Sequence, residues 1–202
     1  MKRIGMLGGS FDPVHYGHLI LAESAREQLR LDQFLLVPAA TSPLKPHGPI
    51  ASNQARLEML ELAIGGTPGI TVDPWELKQG GTSYTIETIR ELSRRESNAE
   101  IFLIVGSDQV PLLSAWKDAR RISELATWAF VNRAGFPSVD FSQLTQFATD
   151  QQVAASRAAV IEMPAMELSS TELRIRVAES RSLRFRTPRA VEEYIRAQCL
   201  YH

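Results

Sequence analysis

The stretch Ile4-Gly5-Met6-Leu7-Gly8-Gly9-Ser10-Phe11-Asp12-Pro13-Val14-His15-Tyr16-Gly17-His18 decides the fold. It opens as an apolar run of strand length, passes through two adjacent glycines and ends in two histidines at a helix start. Paired glycines let the backbone turn sharply and approach a ligand. A helix N-terminus behind them aims N–H groups and partial positive charge at that ligand. Strand, glycine turn and helix start in this order predict an anion site. With the helix beginning at Val14 or His15, the i, i+3 spacing puts both histidines on one side of its first turn, where they share one ligand. The segment is not the dinucleotide fingerprint, which needs glycine near Ser10 and Pro13, nor a Walker loop ending in Gly-Lys-Ser/Thr. Hydride transfer is therefore disfavoured.

Outward from this segment, apolar runs of strand length recur at Phe34 to Val37, Ile70 to Val72, Ile101 to Val105, Trp128 to Val131 and Val160 to Met163. Helical spacing fills the intervals at Leu19 to Leu29, Arg56 to Ala63 and Ile86 to Leu92. Short continuous runs alternating with helices predict strands buried on both faces. The expected class is α/β: a doubly wound, Rossmann-like parallel sheet of about five to six strands, with helices on both faces and a helical C-terminus. Pro38 to Pro49 is too rich in breakers for an element and reads as a loop after the second strand. Phe141, Leu144, Phe147 and Ala148 can form a helix within the polar stretch Gly135 to Asp150. Ser169-Ser170-Thr171-Glu172 caps one later helix, and Thr187-Pro188 reads as the cap and first position of another over Val191 to Leu200.

At 202 residues the chain is expected to form one domain, 1–202, with a helical C-terminal part at about 169–202. A balance of 22 basic and 23 acidic residues gives no bulk case for nucleic acid, so phosphate affinity has to come from a local cluster. One cysteine, Cys199, excludes an intrachain disulfide and a thiolate cluster. No apolar run reaches the ~18 residues of a membrane span, so the expectation is a cytoplasmic protein without membrane partners.

Gly8-Gly9-x-Phe11-Asp12-Pro13-x-His15-x-Gly17-His18, followed by Ser169-Ser170-Thr171-x-x-Arg174, resembles the H-x-G-H nucleotidyltransferase superfamily. More closely it is similar to the bacterial nicotinate-nucleotide adenylyltransferases, and the likeness spans nearly the whole chain. Ser42-Pro43-Leu44-Lys45 resembles that family's lysine loop, Ser83-Tyr84-Thr85-Ile86-Glu87-Thr88 its Y-T-x-x-T segment, and Gly106-Ser107-Asp108 with Trp116 its substrate pocket. Leu168 stands where isoleucine is common, and Leu44 where histidine is frequent.

The resemblance implies transfer of AMP from ATP to nicotinate mononucleotide, with ATP and that mononucleotide as partners and Mg²⁺ carried on ATP rather than in a protein cage. It implies His15, His18, Lys45 and Arg174 as catalytic residues. ATP contacts fall on Gly8, Gly9, Ser10, Phe11, Gly17, His18, Ser169, Ser170, Thr171 and Arg174. The mononucleotide contacts fall on Thr85, Gly106, Asp108, Trp116 and Arg133. On residue chemistry alone the alternatives stay open: serines and threonines cap helices everywhere, Trp116 serves equally as a core aromatic, Asp108 as an N-cap, Asp12 as a brace for the glycine loop, and Arg133 as a solvated surface residue. Rival readings are a sister adenylyltransferase acting on phosphopantetheine, FMN or nicotinamide mononucleotide, and a nucleotide sensor without turnover. The oligomeric state is left open.

Overall fold

The computed structural model describes residues 1–43, 47–133, 139–164 and 166–202, the side chain of Arg133 excepted. Among the described residues, six strands form where the six apolar runs lie: β1 (Lys2–Gly9), β2 (Gln33–Pro38), β3 (Ile70–Val72), β4 (Ala99–Gly106), β5 (Thr127–Arg133) and β6 (Ile161–Met163). Their order in the sheet is β3-β2-β1-β4-β5-β6. The registers of β1 on β4, β4 on β5 and β5 on β6 are parallel, for example Ile4 opposite Ile101 and Val105 opposite Phe130. This is the doubly wound order. It reverses at β1, whose carboxyl end is Gly8-Gly9, and ligands of such sheets sit beyond strand ends at the reversal.

Among the described residues, six α-helices lie between the strands, α1 (Tyr16–Gln28), α2 (Asn53–Ile64), α3 (Trp75–Gln79), α4 (Thr85–Arg95), α5 (Ala119–Leu125) and α6 (Asp150–Ala158), and two follow β6, α7 (Ser170–Ala178) and α8 (Arg189–Ala197). Tight 3₁₀ turns cover Ser107–Ala115 and Phe141–Gln146. α4 shows why these segments are helical. Ile86, Ile89 and Leu92 recur on one face and are buried, while Arg94 and Arg95 close the last turn, where positive charge suits the helix dipole.

The chain divides into two compact units. One comprises Met1–Leu7, Glu23–Leu35 and the described part of Tyr84–Ala165. Its core holds the apolar faces of β4 and β5, with Trp128 and Phe130 stacked at 6.5 Å, and the Trp128 indole N–H donates to Ser123 Oγ at 2.8 Å. The other comprises Gly8–Ala22, Leu36–Ser83 and Met166–His202. There α8 packs on α2, with Met59, Leu60, Val191 and Ile195 buried. Each such side chain contributes about 1.5–3 kcal/mol by leaving water.

Three boundaries differ from the sequence expectation. α1 begins at Tyr16, one residue after His15. α8 covers Arg189–Ala197 with Pro188 at its cap, because the chain turns left-handed at Cys199 (φ 49°) and cannot stay helical to Leu200. Thr187 does not cap that helix. Its buried hydroxyl donates instead to the Val14 carbonyl at 2.8 Å.

Candidate active site

Gly8 and Gly9 do not make the turn that follows them. Both remain in β1 without a left-handed φ, and the turn falls on Phe11 (φ 48°) and the cis Asp12–Pro13 bond. The glycines do other work. A Cβ on Gly9 would press on the buried Phe11 ring at 3.1 Å, whereas one on Gly8 would meet nothing within 4 Å. Gly8 thus leaves the exposed strand end bare for close approach.

The loop after β1 is held by its carbonyl oxygens. Gly9 O accepts from Ala39 N at 2.8 Å and His15 O from His18 N at 2.9 Å. Ser10 O accepts from Arg56 Nη1 (2.7 Å), Asp12 O from Arg174 Nη1 (2.7 Å), Pro13 O from Ser170 Oγ (2.8 Å) and Val14 O from Thr187 Oγ1 (2.8 Å). In a trans peptide the N–H opposes the carbonyl of the same unit, so the amides of Ser10, Phe11 and Val14 turn away from those donors. At these three peptide units the carbonyl faces the donor that holds it and the amide faces away. Such an arrangement attracts anions.

His15 and His18 come together as the spacing predicts, with stacked rings 3.7 Å apart. The His15 amide donates to His18 Nδ1 at 3.2 Å, which makes Nδ1 an acceptor and puts the proton of the neutral ring on Nε2. The His18 ring also meets Phe11 edge-on at 4.9 Å. Between the two histidines, a Cβ on Gly17 would lie 2.9 Å from His15 Cε1 and Nδ1, so only glycine leaves that ring its place.

The Ser169 to Arg174 signature is brought to this loop. Ser169 caps α7 by accepting from Glu172 N at 3.1 Å. Thr171 Oγ1 accepts from Arg174 Nη2 at 3.2 Å, and Arg174 Nη1 lies 3.8 Å from Asp12 Oδ2. The Ser170 hydroxyl and one guanidinium N–H are therefore engaged on loop carbonyls. The α7 amides at Ser170 and Thr171 lie in the first turn of the helix, where amides have no intrahelical acceptor.

Three residues outside the sequence-derived site set shape this region. Asp12 is buried and its carboxylate accepts from Ile50 N (2.7 Å), Ala51 N (3.1 Å) and Tyr201 Oη (2.7 Å). Burial, then the Asp12 carboxylate, pushes the Tyr201 phenol well above its ordinary pKa. Arg56 is completely buried, its second donor on Asn53 Oδ1 at 2.7 Å, and burial pulls its pKa down against the opposing charge of Asp12. A signal for Arg56 did exist, since it shares the inward stripe of α2 with Met59 and Leu60, where an unpartnered charge would be very costly. Tyr201 gave none.

The remaining candidates lie in the other unit. Thr85 is the first residue of α4, half-buried, with an amide that has no intrahelical acceptor. Asp108 is not an N-cap: Gly106 holds the cap position without a side-chain bond, and the Asp108 carboxylate folds back over Gly106, in the space of a Cβ there. Gln109 Nε2 donates to it at 2.7 Å. Trp116 is half-buried, edge-on to Trp128 at 5.8 Å, and its indole N–H has no acceptor among the described residues. Arg133 ends β5 opposite Met163, its side chain undescribed, and Lys45 falls outside the described residues.

Among the described residues, no three His, Cys, Asp or Glu side chains stand close enough to hold a metal ion, and no helix is long and apolar enough to cross a membrane. Around the loop the groups are hydrogen-bond donors and cations, and the Asp12 oxygens are occupied. This set suits phosphate oxygens, and a divalent cation would arrive on them.

Comparison with known proteins places the chain among relatives. The profile of the family described as cytidylyltransferase-like matches residues 6–176. A protein of Rhodopirellula baltica named "Probable nicotinate-nucleotide adenylyltransferase" is 44% identical over 198 residues, 98% of this chain and 92% of its own. One of the same name from Roseiflexus castenholzii is 44% identical, covering 98% of both chains. In fold, the chain resembles "Plasmodium falciparum nicotinic acid mononucleotide adenylyltransferase complexed with NaAD", with a TM-score of 0.76, 18% identity, and coverage of 100% of this chain and 98% of that one.

Proposed function

The chain belongs to the cytidylyltransferase-like family and within it to the nicotinate-nucleotide adenylyltransferases, and we propose that it transfers AMP from ATP to nicotinate mononucleotide, giving nicotinate adenine dinucleotide and pyrophosphate in NAD biosynthesis. The observation that carries this reading is the loop from Gly9 to His15, whose carbonyls are tied inward by Ala39, Arg56, Arg174, Ser170, Thr187 and His18.

The attacking group is a phosphomonoester whose second pKa is about 6, so it is a dianion at neutral pH and needs no general base. A phosphate oxygen of the mononucleotide forms a bond to the α-phosphorus of ATP. The bond to the bridging α–β oxygen breaks, and pyrophosphate carries away that electron pair. Catalysis consists of positioning and of balancing charge on phosphate oxygens. His18 suits this task, because the His15 amide holds Nδ1 as an acceptor and leaves Nε2–H as the donor. In this reading His15, Lys45 and Arg174 supply the other catalytic donors and cations. The bare strand end at Gly8, the amides of Ser10 and Phe11, and the α7 start at Ser169 to Thr171 receive the triphosphate, while Gly9 and Gly17 give the Phe11 and His15 rings their places beside it. Mg²⁺ bound to the triphosphate would neutralise part of its charge.

For the second substrate, the Trp116 face stacks on the pyridine ring and the Thr85 amide donates to its carboxylate. Gly106, Asp108 and Arg133 are assigned to the rest of the mononucleotide. The test is pyrophosphate release from ATP and Mg²⁺ with nicotinate mononucleotide, nicotinamide mononucleotide, phosphopantetheine and FMN in parallel. Nicotinate mononucleotide is expected to give the highest kcat/KM. ATP binding without release in any arm would instead support a sensor.

A further inference from the structure

We propose that Tyr201 is a positioning residue for this reaction: its hydroxyl holds the Asp12 carboxylate and thereby sets both the phosphate loop and the charge that Arg174 presents. The inference rests on the adenylyl-transfer reading above.

Asp12 joins four segments through one buried carboxylate. Oδ1 accepts from Tyr201 Oη at 2.7 Å and from Ala51 N at 3.1 Å; Oδ2 accepts from Ile50 N at 2.7 Å and faces Arg174 Nη1 at 3.8 Å. The same Arg174 nitrogen donates to the Asp12 carbonyl at 2.7 Å. Rotation of the Asp12 side chain therefore moves the carboxylate away from the Arg174 nitrogen that is seated on the carbonyl of the same residue. Electrostatics adds to this. A phenol donating to the carboxylate takes up part of its negative potential, so less of the Arg174 charge is neutralised by Asp12 and more is available to a phosphate.

The backbone supports a dedicated role. To return the Tyr201 hydroxyl to the loop, the chain adopts left-handed conformations at Cys199 (φ 49°) and at Tyr201 itself (φ 68°). Bulky residues rarely take such angles, and they persist where surrounding contacts impose them. A second tyrosine in the same unit offers a control. Tyr194 on α8 donates to Glu58 Oε2 on α2 at 2.5 Å and makes no hydrogen bond to the loop.

The experiment compares Tyr201→Phe, Tyr194→Phe and the unaltered chain by steady-state pyrophosphate release, ATP-binding calorimetry and thermal melting. A hydrogen bond to a charged group is among the stronger ones, so its loss should be read as about a tenfold step in rate. Tyr201→Phe is expected to lower kcat roughly tenfold and weaken ATP severalfold, with KM for nicotinate mononucleotide unchanged. Tyr194→Phe is expected to lower Tm while kcat stays within about twofold. A kcat for Tyr201→Phe within twofold of the unaltered chain, or equal losses in both variants, overturns the inference. Should the unaltered chain release no pyrophosphate, it is the adenylyl-transfer reading that fails. The ATP affinities then decide the positioning role alone, and equal affinities overturn it. Tyr201→Gly, whose backbone is at ease at this φ, supplies a second variant. Added p-cresol is expected to restore ATP affinity and toluene is not; equal restoration by both overturns the role of the hydroxyl.

Discussion

The loop at Gly8 to His18 and the stretch from Gly106 to Trp116 are two candidate binding regions built in opposite ways. In the first, side chains from α2, α7 and the segment before α8 hold named carbonyls at 2.7 to 2.8 Å. In the second, Asp108 is exposed and, among the described residues, bonded to its neighbour Gln109, and Trp116 rests edge-on against Trp128. The difference suits what each region is proposed to bind. Charge on phosphate oxygens rewards donors fixed in advance, because dipoles that must reorient lose most of their effect. A pyridine ring asks mainly for a flat apolar surface, which tolerates adjustment.

The contrast breaks most sharply at His18. Replacing it with alanine is expected to lower turnover about 10²- to 10³-fold, by analogy with removal of one oxyanion donor, with little change in Tm. Near-normal pyrophosphate release would remove its charge-balancing role. Gly17→Ala is expected to cost roughly tenfold in kcat and about 1–3 kcal/mol in stability, since the added methyl lies 2.9 Å from the His15 ring. Chemical denaturation alongside kinetics separates the two effects. Gly8→Ala sharpens the point from the other side. No protein atom lies within 4 Å of the new methyl, so Tm should hold while KM for ATP rises severalfold. Unchanged ATP affinity would show that the strand end is not approached by ligand.

In the second region a graded response is expected. Trp116→Ala should raise KM for nicotinate mononucleotide about tenfold, and Trp116→Phe should recover most of it, because a face matters more than a particular donor. The smallest effect concerns pH. Burial and the bond to Glu58 push the Tyr194 phenol up to about 12 from 10.0. Because the folded value is the higher one, the stabilisation is complete below about pH 10 and is lost as pH rises toward 12. Melting curves across that window should show a loss that Tyr194→Phe reduces, the part due to the likewise raised Tyr201 phenol remaining.

Much of this was legible in the sequence, for physical reasons. Strands buried on both faces must be continuously apolar, so Ile4 to Leu7 or Ile101 to Val105 could hardly be anything else. α6 escaped because Val153 is one of its few apolar residues, although Thr149-x-x-Gln152 forms the capping box that marks its start. Pro111 hid the 3₁₀ turn at Ser107–Ala115. At the site, local motifs brought His15, His18 and Arg174 into view. Arg56 and Tyr201 act on the loop across 46 residues to Ser10 and 189 to Asp12, and no spacing rule reaches that far.

The inward-tied carbonyls bear on transplantation. A motif of eleven residues looks portable, yet the donors that orient it come from α2, α7 and Thr187. A synthetic peptide carrying Gly8 to His18, or a graft of that segment onto another strand and helix, would keep every signature residue and lose the orientation of its amides. Such a graft should bind ATP no better than a scrambled one. Designers wishing to borrow this loop must bring its holders with it.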